Sequence, residues 1–187
     1  MVEGTEDFII NPPDYQNRIR DIKELYIQFY SLSFEVESNL LKILHRYLEL
    51  YDLLYMKDVL YTVVKELVNN AIKANLKRVY FDEKKLDISS PEEYRRGMET
   101  FKDEVYGDER REFDQLKQNK KIVRVSFIAQ ADKMIIHVIN NVPILDEELV
   151  KIDARAKKAY NYNDISEAFE DVLDDSEGAG LGLIMAL

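Results

Sequence analysis

The 187-residue chain contains no cysteine. Disulfide frameworks and thiolate-ligated zinc or iron–sulfur sites are therefore excluded. It also has no apolar run near the ~18 residues needed to cross a bilayer, and its first residues, MVEGTEDF, lack the basic-then-apolar form of a signal peptide. The reading expects a cytoplasmic protein with no direct membrane insertion. Positive charge is in deficit: 26 Lys and Arg against 36 Asp and Glu give a net charge of −10 and a pI near 4.8. Nucleic-acid affinity comes mainly from clustered Lys and Arg, so no nucleic-acid partner is expected. What is present, 46% hydrophobic and 33% charged residues, is the composition of a folded soluble chain. The length allows one core domain with a helical extension.

After the turn-forming NPPD at 11–14, Ile19, Ile22, Tyr26, Phe29 and Tyr30 recur at helical spacing and predict a first helix. From Val36 the apolar positions become Leu40, Ile43, Tyr47, Leu50 and Leu54, alternating four and three residues. That is the seam of a helix hairpin or short coiled coil, and packing within the chain is favoured over a dimer mate. Residues 1–56 are read as an N-terminal helical segment able to form a homodimer, and 57–187 as the main domain.

Asp58 is expected to cap the next helix, which carries KELVNNAIKAN at 65–75. Leu60, Val63, Val64, Leu67, Ala71 and Ala74 form its buried stripe. Glu66, Asn70 and Lys73, at i, i+4 and i+7, share the flank of that stripe and point to the rim of whatever the helix covers. Asn69 and Asn75 are expected to meet solvent or local backbone. Residues 82–121 are densely charged and read as a solvated insertion; within it Ser90-Pro91-Glu92-Glu93 signals a helix running to about Val105. Val123, Val125 and Phe127, then Met134, Ile136 and Val138, alternate as two strands of an antiparallel hairpin. His45 lies off the apolar seam and reads as a surface residue rather than a phosphorylated one; His137 reads as a sheet residue. With no carboxylate at metal spacing, zinc is not expected.

The chain ends in EGAGLGLIMAL. Gly178, Gly180 and Gly182 can simply shape a loop. They can also let backbone N–H groups approach an anion while the helix starting near Leu181 directs its positive end at it.

The order of these parts, Glu-x-x-x-Asn-Ala on a helix, a hairpin ending in Asn140-Asn141-Val142-Pro143-Ile144, a polar stretch and then GAGLGL, resembles the GHKL superfamily of ATP-binding domains, nearest to histidine-kinase-type domains. The resemblance covers residues 58–187 apart from the insertion. It implies an α/β two-layer sandwich with a mixed, mostly antiparallel sheet and helices on one face, here lacking its C-terminal strands. It further implies ATP and Mg²⁺ as cofactors, with Asn70 as the Mg²⁺ ligand, Lys73 on phosphate, and Gly178, Gly180, Leu181 and Gly182 closing over the phosphates. Glu66 stands where several members carry a catalytic base, and ISEAFEDVLDDSE at 165–177 resembles the phenylalanine-containing lid of the kinases. The chain departs from the pattern at NNVPI, where Asn140 replaces the adenine-binding aspartate and both glycines are missing. An amide free to turn over donates or accepts equally well, so weak discrimination between ATP and GTP is expected.

Three functions follow from the resemblance. The leading one is transfer of the γ-phosphoryl group of Mg-ATP to a protein phosphoacceptor. The others are an ATPase in which Glu66 activates water, and a non-catalytic nucleotide-sensing module, which the altered NNVPI segment favours.

Overall fold

The computed structural model describes residues 7–130 and 133–159. Its sheet is built by alternation. In β2 (Glu24–Phe29), Leu25, Ile27 and Phe29 are buried. They pair antiparallel with Phe127, Val125 and Val123 of β3 (Val123–Ala129). β4 (Met134–Asn140) completes the expected hairpin, setting Ile136 beside Phe127, Val138 beside Val125 and Asn140 beside Val123. On the other side β1 (Phe8–Asn11) adds Phe8 and Ile10 to the same face. The result is a four-stranded sheet of order β1-β2-β3-β4. Each neighbouring pair is antiparallel, so the described sheet has no parallel pair.

The strand β2 corrects the helix expected across residues 19–30. Tyr26, Phe29 and Tyr30 suit a helical stripe, but ELYIQF also alternates, and its aromatic and β-branched residues fit a pleated surface. The available edge of β3 decides the matter. The only helix of the described residues before β2 is the single turn α1 (Tyr15–Arg18), so the segment 1–56, expected to be helical, contains two strands among its described residues. Those strands share one core with the rest of the chain.

The helical seam predicted from Val36 is present in α2 (Phe34–Leu50), where Ser33 caps the first turn by accepting from the Val36 N–H. Val36, Leu40, Ile43, Leu44, Tyr47 and Leu48 are buried within the chain, and the Tyr47 ring stacks on Phe127 of the sheet at 5.6 Å. A 3₁₀ turn at Leu54–Met56 leads into α3 (Lys57–Lys84), whose N-cap is Met56, with Asp58 already inside the first turn. The two helices are tied where Glu37 accepts from the Tyr61 hydroxyl and from Lys65 Nζ. The buried apolar stripe of α3 includes the expected Val63 and Val64 and continues through Val68, Ile72, Leu76 and Val79. Beyond Val64 it is rotated from the expected one, so that Leu67, Ala71 and Ala74 lie on its half-buried margin.

The charged segment 82–121 folds as α4 (Pro91–Val105) and α5 (Glu109–Gln118). Pro91 opens α4 as predicted. Neither helix is merely solvated: Phe101, Val105 and Leu116 are buried in the core. Phe101 meets Tyr80 edge-on at 5.4 Å, and Gly97 lets α4 approach Phe81 of α3. The last described element is α6 (Asp146–Ala159). The two layers match the expected α/β sandwich.

Candidate functional site

A cavity of about 420 Å³ lies between the margin of α3, the end of β4 and helices α4 and α6. That volume is within the range of small-molecule sites. Its α3 wall carries Asn70, Lys73, Lys77 and Arg78; α4 adds Tyr94, Met98, Phe101 and Lys102; the NNVPI segment adds Asn140, Val142, Pro143 and Ile144. Asn70, Lys73 and Asn140, which the sequence singled out, thus line one cavity, because Asn70 and Lys73 share a helix edge and Asn140 is the inward residue ending β4.

Glu66, one turn before Asn70, is not among the lining residues, and its Oε1 is buried with no hydrogen-bond partner. Gly178, Gly180, Leu181, Gly182 and the segment 165–177 lie outside the described residues. His45 sits 3.4 Å from Glu49 on α2, and His137 is exposed on the outer face of β4 opposite Ser126. Neither faces the cavity.

Two features escaped the sequence reading. Asn75, expected near solvent or local backbone, is fully buried, donating to the Ile122 carbonyl at 3.0 Å and accepting from Asn140 at 3.3 Å. A polar residue on the inner side of an amphipathic helix is the only sequence signal of this, and it is weak without knowledge of the facing strand.

The second is an ion pair in the cavity wall. Arg78 holds Glu148 of α6 in a two-pronged contact at 2.7 and 2.6 Å and donates to the Pro143 carbonyl at 2.8 Å. Lys77 Nζ lies 3.4 Å from Glu148 and 3.2 Å from the Tyr94 hydroxyl. Glu148 also accepts from the Leu145 N–H at 3.2 Å, the half of a capping box that closes the start of α6. Burial works against ionisation of Glu148, but the Arg78 and Leu145 hydrogen bonds and the Arg78 and Lys77 charges outweigh it, holding the carboxyl at about 2. Arg78 and Glu148 were invisible as a pair because 70 residues separate them.

Lys73, Lys77, Lys102 and Lys151 line the cavity with Arg78, against Glu147 and Glu148. In a chain of net charge −10 this is a local concentration of cations. Among the described residues there is no group of three or more His, Asp or Glu arranged to hold a metal; Asn70, whose side chain carries an amide oxygen, lines the cavity. That donor set fits a hard cation held mostly by phosphate oxygens and water, as Mg²⁺ commonly is, rather than by a protein cage.

A Treponema pallidum (strain Nichols) protein described only as uncharacterized is 34% identical over 161 residues, covering 86% of this chain and 31% of the relative. The chain thus spans about a third of that protein's length. No family model and no solved structure matches. No described helix is long and apolar enough to cross a membrane.

Proposed function

We propose that this cavity binds Mg-ATP and that the domain transfers its γ-phosphoryl group to a protein acceptor, in the manner of the histidine-kinase-type domains it resembles. The observation that carries the reading is the meeting of Asn70, Lys73 and Asn140, from two separate elements, in one cavity. Lys73 makes no ion pair among the described residues and supplies a point charge for phosphate. The apolar wall of Met98, Phe101, Val142 and Ile144 suits the flat face of a base. When bound, Mg²⁺ would neutralise phosphate charge beside Asn70. Phosphoryl transfer asks mainly for positioning and charge stabilisation, which these side chains can provide without a general base. The position of Glu66 outside the cavity lining favours this reading over the ATPase one. The altered NNVPI segment keeps the nucleotide sensor as a second reading.

Titration of ATP with and without Mg²⁺ tests the site. Mg²⁺ is expected to tighten ATP in the wild type and to have no such effect in Asn70→Ala; an unchanged Mg²⁺ response in that variant rejects the assignment. Incubation with γ-labelled ATP then separates the functions: label on protein for the kinase, free phosphate for the ATPase, neither for the sensor.

A further inference from the structure

The amide of Asn140 is not free to turn over. Asn75 Nδ2 donates to the Ile122 carbonyl, 3.0 Å away, and since a carbonyl only accepts, Asn75 must direct its own Oδ1 elsewhere. That oxygen faces Asn140 Nδ2 at 3.3 Å, and the same Nδ2 lies 3.4 Å from the Ala71 carbonyl of α3. Ile122 is itself held: its N–H donates to Asn141 Oδ1 at 2.8 Å, while Asn141 Nδ2 donates to the Lys120 carbonyl at 2.8 Å. Reversing Asn140 would set its oxygen against Asn75 Oδ1 and the Ala71 carbonyl. Reversing Asn75 as well would only move the acceptor clash to Ile122. An acceptor left facing another acceptor in a buried position is costly. Asn75 is 0% exposed, so water offers no relief. The Asn140 oxygen accepts no hydrogen bond among the described residues and is what this amide leaves for the cavity it lines.

We infer that Asn75 is a positioning residue: it locks Asn140 as an acceptor, so that the cavity takes a purine carrying an amino group and rejects one carrying a carbonyl oxygen at the same place. This rests on the nucleotide reading above and reverses the weak base discrimination expected from an isolated asparagine. The acceptor attracts adenine's exocyclic amine and repels guanine's oxygen, the job an ionised carboxylate would do there without needing a lock.

Competitive titration of ATP and GTP against the whole chain tests it, using the wild type, Asn75→Ala and Asn75→Asp. The wild type is expected to prefer ATP by roughly 10- to 100-fold, the scale of a well-directed base contact. Asn75→Ala removes one of the two acceptors that hold the Asn140 amide, leaving only the longer contact to the Ala71 carbonyl at 3.4 Å, and should bring the two nucleotides within a few-fold of each other. Asn75→Asp, kept as the neutral acid by its full burial, can donate its O–H to the Ile122 carbonyl and still offer Asn140 its other oxygen, and should keep the preference, which a merely structural role for Asn75 would not predict. Equal binding by the wild type, or an unchanged ratio in Asn75→Ala, overturns the lock alone; a wild type that binds neither nucleotide overturns the nucleotide reading and the lock with it. Should Asn75→Ala not fold, hydrogen exchange of the Asn140 side-chain amide in the wild type decides. Slow exchange supports the lock and fast exchange overturns it.

Discussion

At the scale of single residues, Glu148 couples the cavity to acid stability. Its carboxyl is held at about 2 in the folded chain, against an ordinary value of 4.5. A depressed carboxylate stabilises the fold above its unfolded pKa, and the contribution disappears as pH falls from about 4.5 to about 2. Glu148→Gln should therefore cost up to about 3 kcal/mol at neutral pH, from the lost linkage and the unpaired Arg78 charge. Urea unfolding at several pH values checks this: the gap between wild type and variant should be widest near neutrality and close towards the acid end of that window. A constant gap would mean that the pair contributes shape and not charge. The contrast with Asn70 and Lys73 is instructive. Those two were legible because helical periodicity alone sets them on one edge. Arg78 was hidden by its position on a stripe of buried residues, where a basic side chain has meaning only once α6 brings it a carboxylate.

At the scale of elements, α4 is a cavity wall only because it lies close to α3. Gly97 makes that approach possible: an added Cβ would come within 2.5 Å of Phe81 Cζ and 2.9 Å of Cε1. The ring is 1% exposed and packs between Tyr80 and Tyr94, so it has little room to yield. Two effects compete in Gly97→Ala. Helix propensity favours alanine by about 1 kcal/mol, while overpacking a filled core costs about 1–3 kcal/mol. With contacts this short the second should win, and thermal unfolding should show a lower Tm. A raised Tm would show that the two helices part without cost. The start of α4 was readable from Ser90 and Pro91 because proline's fixed φ favours the first helical turn. That the helix was structural and not a solvated insertion was not readable: its buried side is a narrow stripe among many charges, Gly97, Phe101 and Val105.

At the scale of the whole molecule, the net charge of −10 opposes any anionic ligand at long range, and attraction is confined to the cations around the cavity. Salt screens separated charges within about 10 Å at 0.1 M, so the local cations should dominate at physiological ionic strength. Lys73→Ala is expected to weaken ATP by about tenfold or more, the scale of a lost charge-assisted hydrogen bond, while adenosine binding changes little. Calorimetric titration of both ligands checks this, and an equal loss for the two would place Lys73 away from the phosphates.

The sequence by itself determined the elements whose signal is local: the amphipathic α2 and α3, the Pro91 start of α4, the hairpin of β3 and β4, and the shared edge of Asn70 and Lys73. Periodicity and capping act over a few residues and need no partner to be read. Tertiary structure alone decided the rest. It made ELYIQF a strand by offering it the edge of β3, turned a charged segment into a cavity wall, and buried Asn75 against Ile122 and Asn140, 47 and 65 residues away. A side chain's hydrogen-bonding partners are set by what faces it in space, and the residues that face Asn75 and Arg78 come from the far half of the chain.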